Sequence, residues 1–216
     1  MRDRVDKIFK TDIYGITCEE LTPGGDNLEA VRQMVNAGVK IIQYREKDKS
    51  KREKYEECRV IREMCKPAGV LFIVNDDVDI AILSKAGGVH VGQDDLPADA
   101  VRRLVGPEMV IGVSADTPAQ VEDAIARGAD YIGVGPVFGT QTKKDAGEPV
   151  GLDLIETIAN NYKIPLVAIG GITEENILDV RRRGVSCSAM VSALVGCADI
   201  EAAVEKIRER IRQAGC

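Results

Sequence analysis

The 216-residue chain contains no Trp, a single His, and only 4% aromatic residues. No apolar run approaches the roughly 20 residues a membrane-spanning helix needs, which excludes a helical membrane protein. Positive charge is not in excess. The formal net charge is −6 and the pI about 5.0, which argues against a nucleic-acid-binding surface. No cysteine pair is spaced as C-x-x-C, and one His cannot complete a Cys/His zinc set. Cys18, Cys58, Cys65, Cys187, Cys197 and Cys216 therefore read as reduced thiols of a cytoplasmic protein. The opening stretch from Met1 to Lys7 mixes both charge signs and has no apolar segment, so it is not expected to be a secretory signal. Low-complexity tracts and interdomain linkers are absent too. With 44% hydrophobic residues, the expectation is one domain over 1–216 with a full core.

What is present is alternation. Short β-branched runs occur at Ile13–Thr17, Val39–Tyr44, Leu71–Asn75, Gly88–Val91, Val110–Ser114, Tyr131–Gly135, Pro165–Ile169 and Ser186–Val191. Near-continuous apolar runs such as Val110-Ile111-Gly112-Val113 suit parallel strands buried on both faces. Amphipathic stretches lie between them, at Asn27–Ala37, Lys51–Lys66, Thr117–Arg127, Leu152–Asn160 and Glu174–Arg183. A further one runs from Glu201 to Arg212. Thr117-Pro118-Ala119-Gln120 predicts a capping box with Pro at the first helical position. Thr173 predicts an N-cap followed by two acids. Glycines at Gly38, Gly87 and Gly88, Gly128 and Gly184 recur between helix and following strand, where they can end a helix. Eight strands in a chain this short favour a closed parallel (β/α)8 TIM barrel over an open doubly wound sheet.

In either architecture ligands bind at the carboxyl ends of the strands. Strand two ends in Gln43-Tyr44-Arg45-Glu46-Lys47, and period-two alternation puts Gln43, Arg45 and Lys47 on one face as an anion clamp. Strands three and four end in Asn75-Asp76-Asp77 and Gln93-Asp94-Asp95. Such acids beside cations suit a Mg²⁺ held between carboxylate and phosphate oxygens, although Asp76 or Asp77 could instead cap the next helix. The long polar segment Gly135 to Asp145 supplies Thr140, Thr142, Lys143 and Lys144. Gly170-Gly171, opening directly into a helix, and Val191-Ser192 suit a phosphate between the last two strands. His90 reads as a satisfied interior histidine, and the few aromatics as core filling.

Taken together, these segments resemble the thiamine-phosphate synthase family. The resemblance rests on Gln43 to Lys47, Asn75-Asp76, His90-Val91-Gly92-Gln93-Asp94-Asp95, Gly112-Val113-Ser114, Gly135-Pro136, Thr140 to Lys144, Ile169 to Ile172 and Val191-Ser192. It implies a barrel transferase that joins hydroxymethylpyrimidine diphosphate to thiazole phosphate, giving thiamine phosphate and diphosphate. By the same resemblance, Gln43, Tyr44, Arg45, Glu46, Lys47, Asn75, Ser114 and Lys143 hold the pyrimidine diphosphate. Thr140, Gln141, Thr142, Gly171, Val191 and Ser192 hold the thiazole phosphate. Asp76 and Asp95 hold one Mg²⁺ per active site. Arg45, Lys47, Ser114 and Lys143 act in catalysis, by a dissociative, carbocation-like path in a cytoplasmic enzyme. A homo-oligomer is left open. Gly139 departs from the family pattern, where many relatives would carry proline, and Cys18 stands where an Asp is often found. A thiazole tautomerase-like isomerase would need an acid/base residue and no diphosphate clamp. A non-catalytic phosphate-sensing barrel would have no use for the two acids.

Overall fold

Eight strands form one closed parallel sheet in a computed structural model that describes residues 9–142 and 147–215. They are β1 (Ile13–Ile16), β2 (Ile41–Tyr44), β3 (Leu71–Asn75), β4 (Gly88–Val91), β5 (Val110–Ala115), β6 (Tyr131–Val134), β7 (Leu166–Ile169) and β8 (Cys187–Met190). Each pairs with the next, and β8 closes on β1 with Tyr14 opposite Ala189. The outer layer contains α1 (Asn27–Asn36), α2 (Lys51–Cys65), α3 (Val78–Leu83), α4 (Ala98–Val105), α5 (Pro118–Ala126), α6 (Gly151–Asn161), α7 (Ile177–Arg182) and α9 (Ile200–Gln213). A single turn, α8 (Ser192–Val195), follows β8 directly. The barrel predicted from the eight runs is therefore the barrel observed. No described helix is long and apolar enough to cross a membrane.

Alternation along each strand separates two cores. Outward residues such as Ile42, Phe72, Val89, Ile111 and Ile132 pack under the helices. Inward residues such as Ile41, Ile73, Val110, Tyr131 and Val167 fill the barrel. Each fully buried aliphatic side chain contributes about 1.5–3 kcal/mol relative to exposure. Cys58 and Cys65, seven residues apart, share the buried face of α2. The five described cysteines are all free.

Helix starts follow the expected chemistry in part. Ser50 and Glu53 form a reciprocal capping box at α2. At α5 the Thr117 side chain accepts from Gln120 N at 3.3 Å, but Gln120 Oε1 accepts from Asp116 N instead of Thr117 N. Two expectations are corrected. The helix after β7 begins at Ile177, not Glu174, because the Asn176 side chain accepts from Thr173 N at 2.8 Å and donates to Gly171 O at 2.9 Å. That Asn bridge holds the intervening residues as a turn. Before β4 the left-handed residue is Lys85 (φ 56°), not Gly87 or Gly88. Those glycines answer to packing: a Cβ on Gly88 would lie 2.9 Å from Val110 O.

Packing also makes room for the floor of the barrel mouth. A Cβ on Gly112 would lie 2.1 Å from Tyr131 Cζ, so the missing side chain on β5 is the space the Tyr131 ring fills. Gly133 does the same for His90, with a virtual Cβ 3.2 Å from Cε1.

Candidate active site

A cavity of about 610 Å³ opens at the carboxyl ends of the strands. Gln43, Arg45 and Lys47 line it together, as the alternation on strand two predicts. Tyr44 and Glu46, expected beside them, are not among its lining residues. Tyr44 points outward, and its hydroxyl donates to Glu57 Oε2 on α2 at 2.7 Å. Glu46 Oε1 accepts from Glu19 N at 3.0 Å and Thr17 Oγ1 at 3.3 Å, which ties the β1 and β2 loops together. Burial pushes the Glu46 carboxyl up. Lys49 bridges Glu19 and Glu57 behind the same loop. These residues brace the clamp from outside. Arg45, by contrast, makes no ion pair among the described residues and faces the cavity.

The two acids predicted for a cation do converge. Asp76 lies in the left-handed region at φ 60°, a conformation Asp tolerates better than most residues. Lys47 Nζ donates to Asp76 Oδ2 at 2.7 Å. Asp95 Oδ2 accepts from Gly92 N at 2.8 Å. Burial pushes both carboxyls up. At Asp76, hydrogen bonds from Lys47 and Asp95 and the Lys47 charge outweigh it, and the net shift is downward. At Asp95, contact with ionised Asp76 adds to burial, and the net shift is upward. The two carboxyls thus shift in opposite directions, because each feels the other's charge while Lys47 stands beside Asp76. Asp77 occupies the N-cap position of α3, but its side chain makes no cap hydrogen bond and instead pairs with Lys51 at 3.0 Å and Lys54 at 2.9 Å.

The floor is a row of hydrogen bonds. Gln43 Nε2 donates to Tyr14 Oη at 2.7 Å, and Tyr14 Oη lies 2.9 Å from Tyr131 Oη. Tyr131 Oη is 2.8 Å from His90 Nδ1, and His90 Nε2 is 2.9 Å from Ser114 Oγ. Gln93 Nε2 donates to Ser114 O at 2.6 Å and holds that strand end. His90 is thus an interior histidine with both nitrogens satisfied. Burial pushes its pKa down to about 4, against the opposing pull of Asp76.

That depression sets a stability window. The unfolded chain binds a proton at His90 below pH 6.5, whereas the folded chain does so only below about 4. Stability attributable to His90 is full above pH 6.5 and falls through that window by up to about 3 kcal/mol. Urea unfolding of the wild type and of His90→Gln at pH 7 and pH 4.5 checks this. The wild type should lose more stability on acidification than the variant; equal losses contradict the assignment.

The opposite wall comes from the described part of the connection after β6, residues 135–142 and Gly147, and from the ends of β7 and β8. Thr140, Thr142, Gly170, Gly171, Val191 and Ser192 line the cavity, and Asn75 and Ser114 complete it on the clamp side. Gln141 is exposed and does not line it. Lys143 and Lys144 lie outside the described residues. Gly170 and Gly171 have φ of 98° and 64°. A Cβ on Gly171 would lie 2.6 Å from Gly139 O, so this wall closes only over a glycine. Tyr14 and Tyr131, expected as core filling, line the cavity, and so does Gln120, expected only as part of a helix cap. The signal for the tyrosines was available: both precede an inward-facing Gly or Ile by two positions on their strands.

Fold and site together define a (β/α)8 barrel whose mouth gathers Arg45, Lys47 and two carboxylates opposite a glycine-lined wall. The family model described as thiamine monophosphate synthase matches residues 13–194. A thiamine-phosphate synthase of Pelotomaculum thermopropionicum is 56% identical over 201 residues, 93% of this chain and 92% of that protein. One from Caldicellulosiruptor saccharolyticus is 48% identical, covering 96% of this chain and 94% of that protein. The solved thiamine phosphate pyrophosphorylase from Pyrococcus furiosus superposes with a TM-score of 0.86 at 34% identity, over 96% of this chain and 98% of that one. The chain belongs to the thiamine monophosphate synthase family.

Proposed function

We propose that the chain condenses hydroxymethylpyrimidine diphosphate with thiazole phosphate, releasing diphosphate and forming thiamine phosphate. The observation that carries this reading is the division of one mouth. Arg45, Lys47 and the Asp76–Asp95 pair stand on one side, and Gly171 and Ser192 on the other. Two anions can bind there with their organic portions meeting between them. A thiazole tautomerase-like enzyme would need an acid/base residue beside the second wall and would have no use for the first.

The carboxylate pair fits a hard divalent cation. Its donors are two carboxylates within hydrogen-bonding reach, one of them pushed up by the other. No group of three or more His, Cys, Asp or Glu residues gathers among the described residues, so the remaining positions of a Mg²⁺ would fall to water and substrate phosphate. Bound there, Mg²⁺ supplies charge neutralisation for the departing diphosphate.

The chain's own residues do the rest. Arg45 and Lys47 attract the leaving group. A cation about 4 Å from an anion contributes about 4 kcal/mol at an effective dielectric of about 20, before desolvation. An aminopyrimidine delocalises positive charge on its methylene carbon, so the C–O bond can break before the thiazole nitrogen attacks. Catalysis is then positioning plus electrostatics, with no protein nucleophile. By this reading Lys143 adds a further cation to the diphosphate, and Thr140, Thr142, Val191 and Ser192 seat the thiazole phosphate. Free cysteines suit a cytoplasmic enzyme.

Metal removal tests the reading. Thiamine phosphate should form from the two substrates with Mg²⁺, stop in excess chelator, and resume when Mg²⁺ is restored. Full-rate turnover in chelator contradicts the cation assignment, and no turnover with any divalent cation contradicts the reaction.

A further inference from the structure

The five side chains on the cavity floor form one unbranched hydrogen-bonded row, and its direction is set at the Gln43 end. Gln43 Nε2 has only protons to offer, so Tyr14 Oη accepts at 2.7 Å. Both phenols are buried, and the proton of Tyr14 is left for Tyr131 Oη at 2.9 Å. In that direction Tyr131 is the donor to His90 Nδ1, 2.8 Å away. An imidazole that accepts at Nδ1 carries its proton on Nε2, which donates to Ser114 Oγ at 2.9 Å. Among the described residues no carboxylate bonds to either ring nitrogen; both partners are hydroxyls. With one lone pair of Ser114 Oγ occupied, its own proton is left for an acceptor in the cavity that Ser114 lines.

We propose that His90 and Tyr131 are positioning residues that hold the Ser114 hydroxyl as a hydrogen-bond donor to an anionic group bound at the mouth. The opposite direction would spend the Ser114 proton on His90 Nε2. Only lone pairs would then face the cavity, and an anion would be repelled. Identifying that anion as the departing diphosphate rests on the reaction proposed above; the direction of the row does not. Gly112 and Gly133 complete the device, since a side chain at Gly112 would displace the Tyr131 ring and one at Gly133 would crowd the imidazole.

The single His makes the direction directly observable. A two-bond ¹H–¹⁵N correlation spectrum of tag-free, ¹⁵N-labelled protein without substrate contains one imidazole. The expected pattern is the neutral tautomer protonated on Nε2. The Nδ1-protonated tautomer, or a cationic ring at pH 7.5, overturns the proposal. A double-mutant cycle adds the functional link. Tyr131→Phe and Ser114→Ala should each lower kcat about tenfold or more, and the double variant should be no slower than Ser114→Ala alone. Multiplying losses would show Tyr131 acting apart from Ser114 and overturn the positioning role. Tyr14→Phe should cost less, because Tyr131 can still donate to His90 without it. The spectrum needs no turnover. An Nε2-protonated ring in a chain that forms no thiamine phosphate would therefore sink the proposed reaction and leave the row's direction standing.

Discussion

Asp76→Asn should lower kcat by about 10²-fold or more while leaving the protein at least as resistant to heat as the wild type. The loss is the size seen when one preorganised electrostatic group is removed from a site where charge develops. The stability follows from three local facts. Asn is as tolerant as Asp of the left-handed backbone at φ 60°. Its amide oxygen still accepts from Lys47, whose side chain is half exposed, so the ion pair itself is worth little. And the change removes the anion that, together with burial, pushes Asp95 up. Steady-state kinetics with Mg²⁺ and a thermal melt check the two halves together. A variant that loses activity only in proportion to lost folded protein would show Asp76 to be a structural residue. Asp76→Ala is a poorer probe, because a left-handed Ala adds about 1–2 kcal/mol of strain.

Gly171→Val should raise the KM for thiazole phosphate at least about tenfold, a loss near 1.4 kcal/mol, while the KM for the pyrimidine diphosphate stays within about twofold. The new side chain would sit at φ 64° with its Cβ 2.6 Å from Gly139 O and 2.8 Å from Phe138 Cβ. Neither backbone can yield without moving the wall that carries Thr140. The clamp on β2 is across the mouth and keeps its geometry. The melting temperature should fall as well, since the strain belongs to the folded state alone. Titration calorimetry with each substrate separates the two effects. Equal weakening of both would argue for a single shared anion site.

The barrel was legible because period-two burial and repeated helix–strand junctions are local properties of the chain. The clamp was legible for the same reason: Gln43, Arg45 and Lys47 share a face by spacing alone, and they line the cavity together. Spacing also explains the miss at Tyr44, whose neighbours within the motif face inward while it faces α2. Asp76 and Asp95 could be paired because adjacent parallel strands bring their ends together. The turn before α7 was not legible, since Thr173 and Asn176 both suit an N-cap, and only the bonds of Asn176 back to Gly171 and Thr173 put the helix start at the later one. The floor was hidden for a different reason. Tyr14 and Tyr131 are 117 positions apart, and only closure of the barrel brings their hydroxyls to 2.9 Å. A tyrosine on an inward strand position looks the same in sequence whether its hydroxyl is stranded or bonded.

In the proposed reaction two anionic substrates meet in one mouth, with diphosphate leaving from one and the ring nitrogen of the other attacking. ³¹P NMR of the purified chain with Mg²⁺ and both substrates measures this most directly. Thiazole phosphate and pyrimidine diphosphate should disappear in equal amounts, with one thiamine phosphate and one diphosphate appearing for each. Diphosphate released while thiazole phosphate remains untouched, or neither substrate consumed, would contradict it.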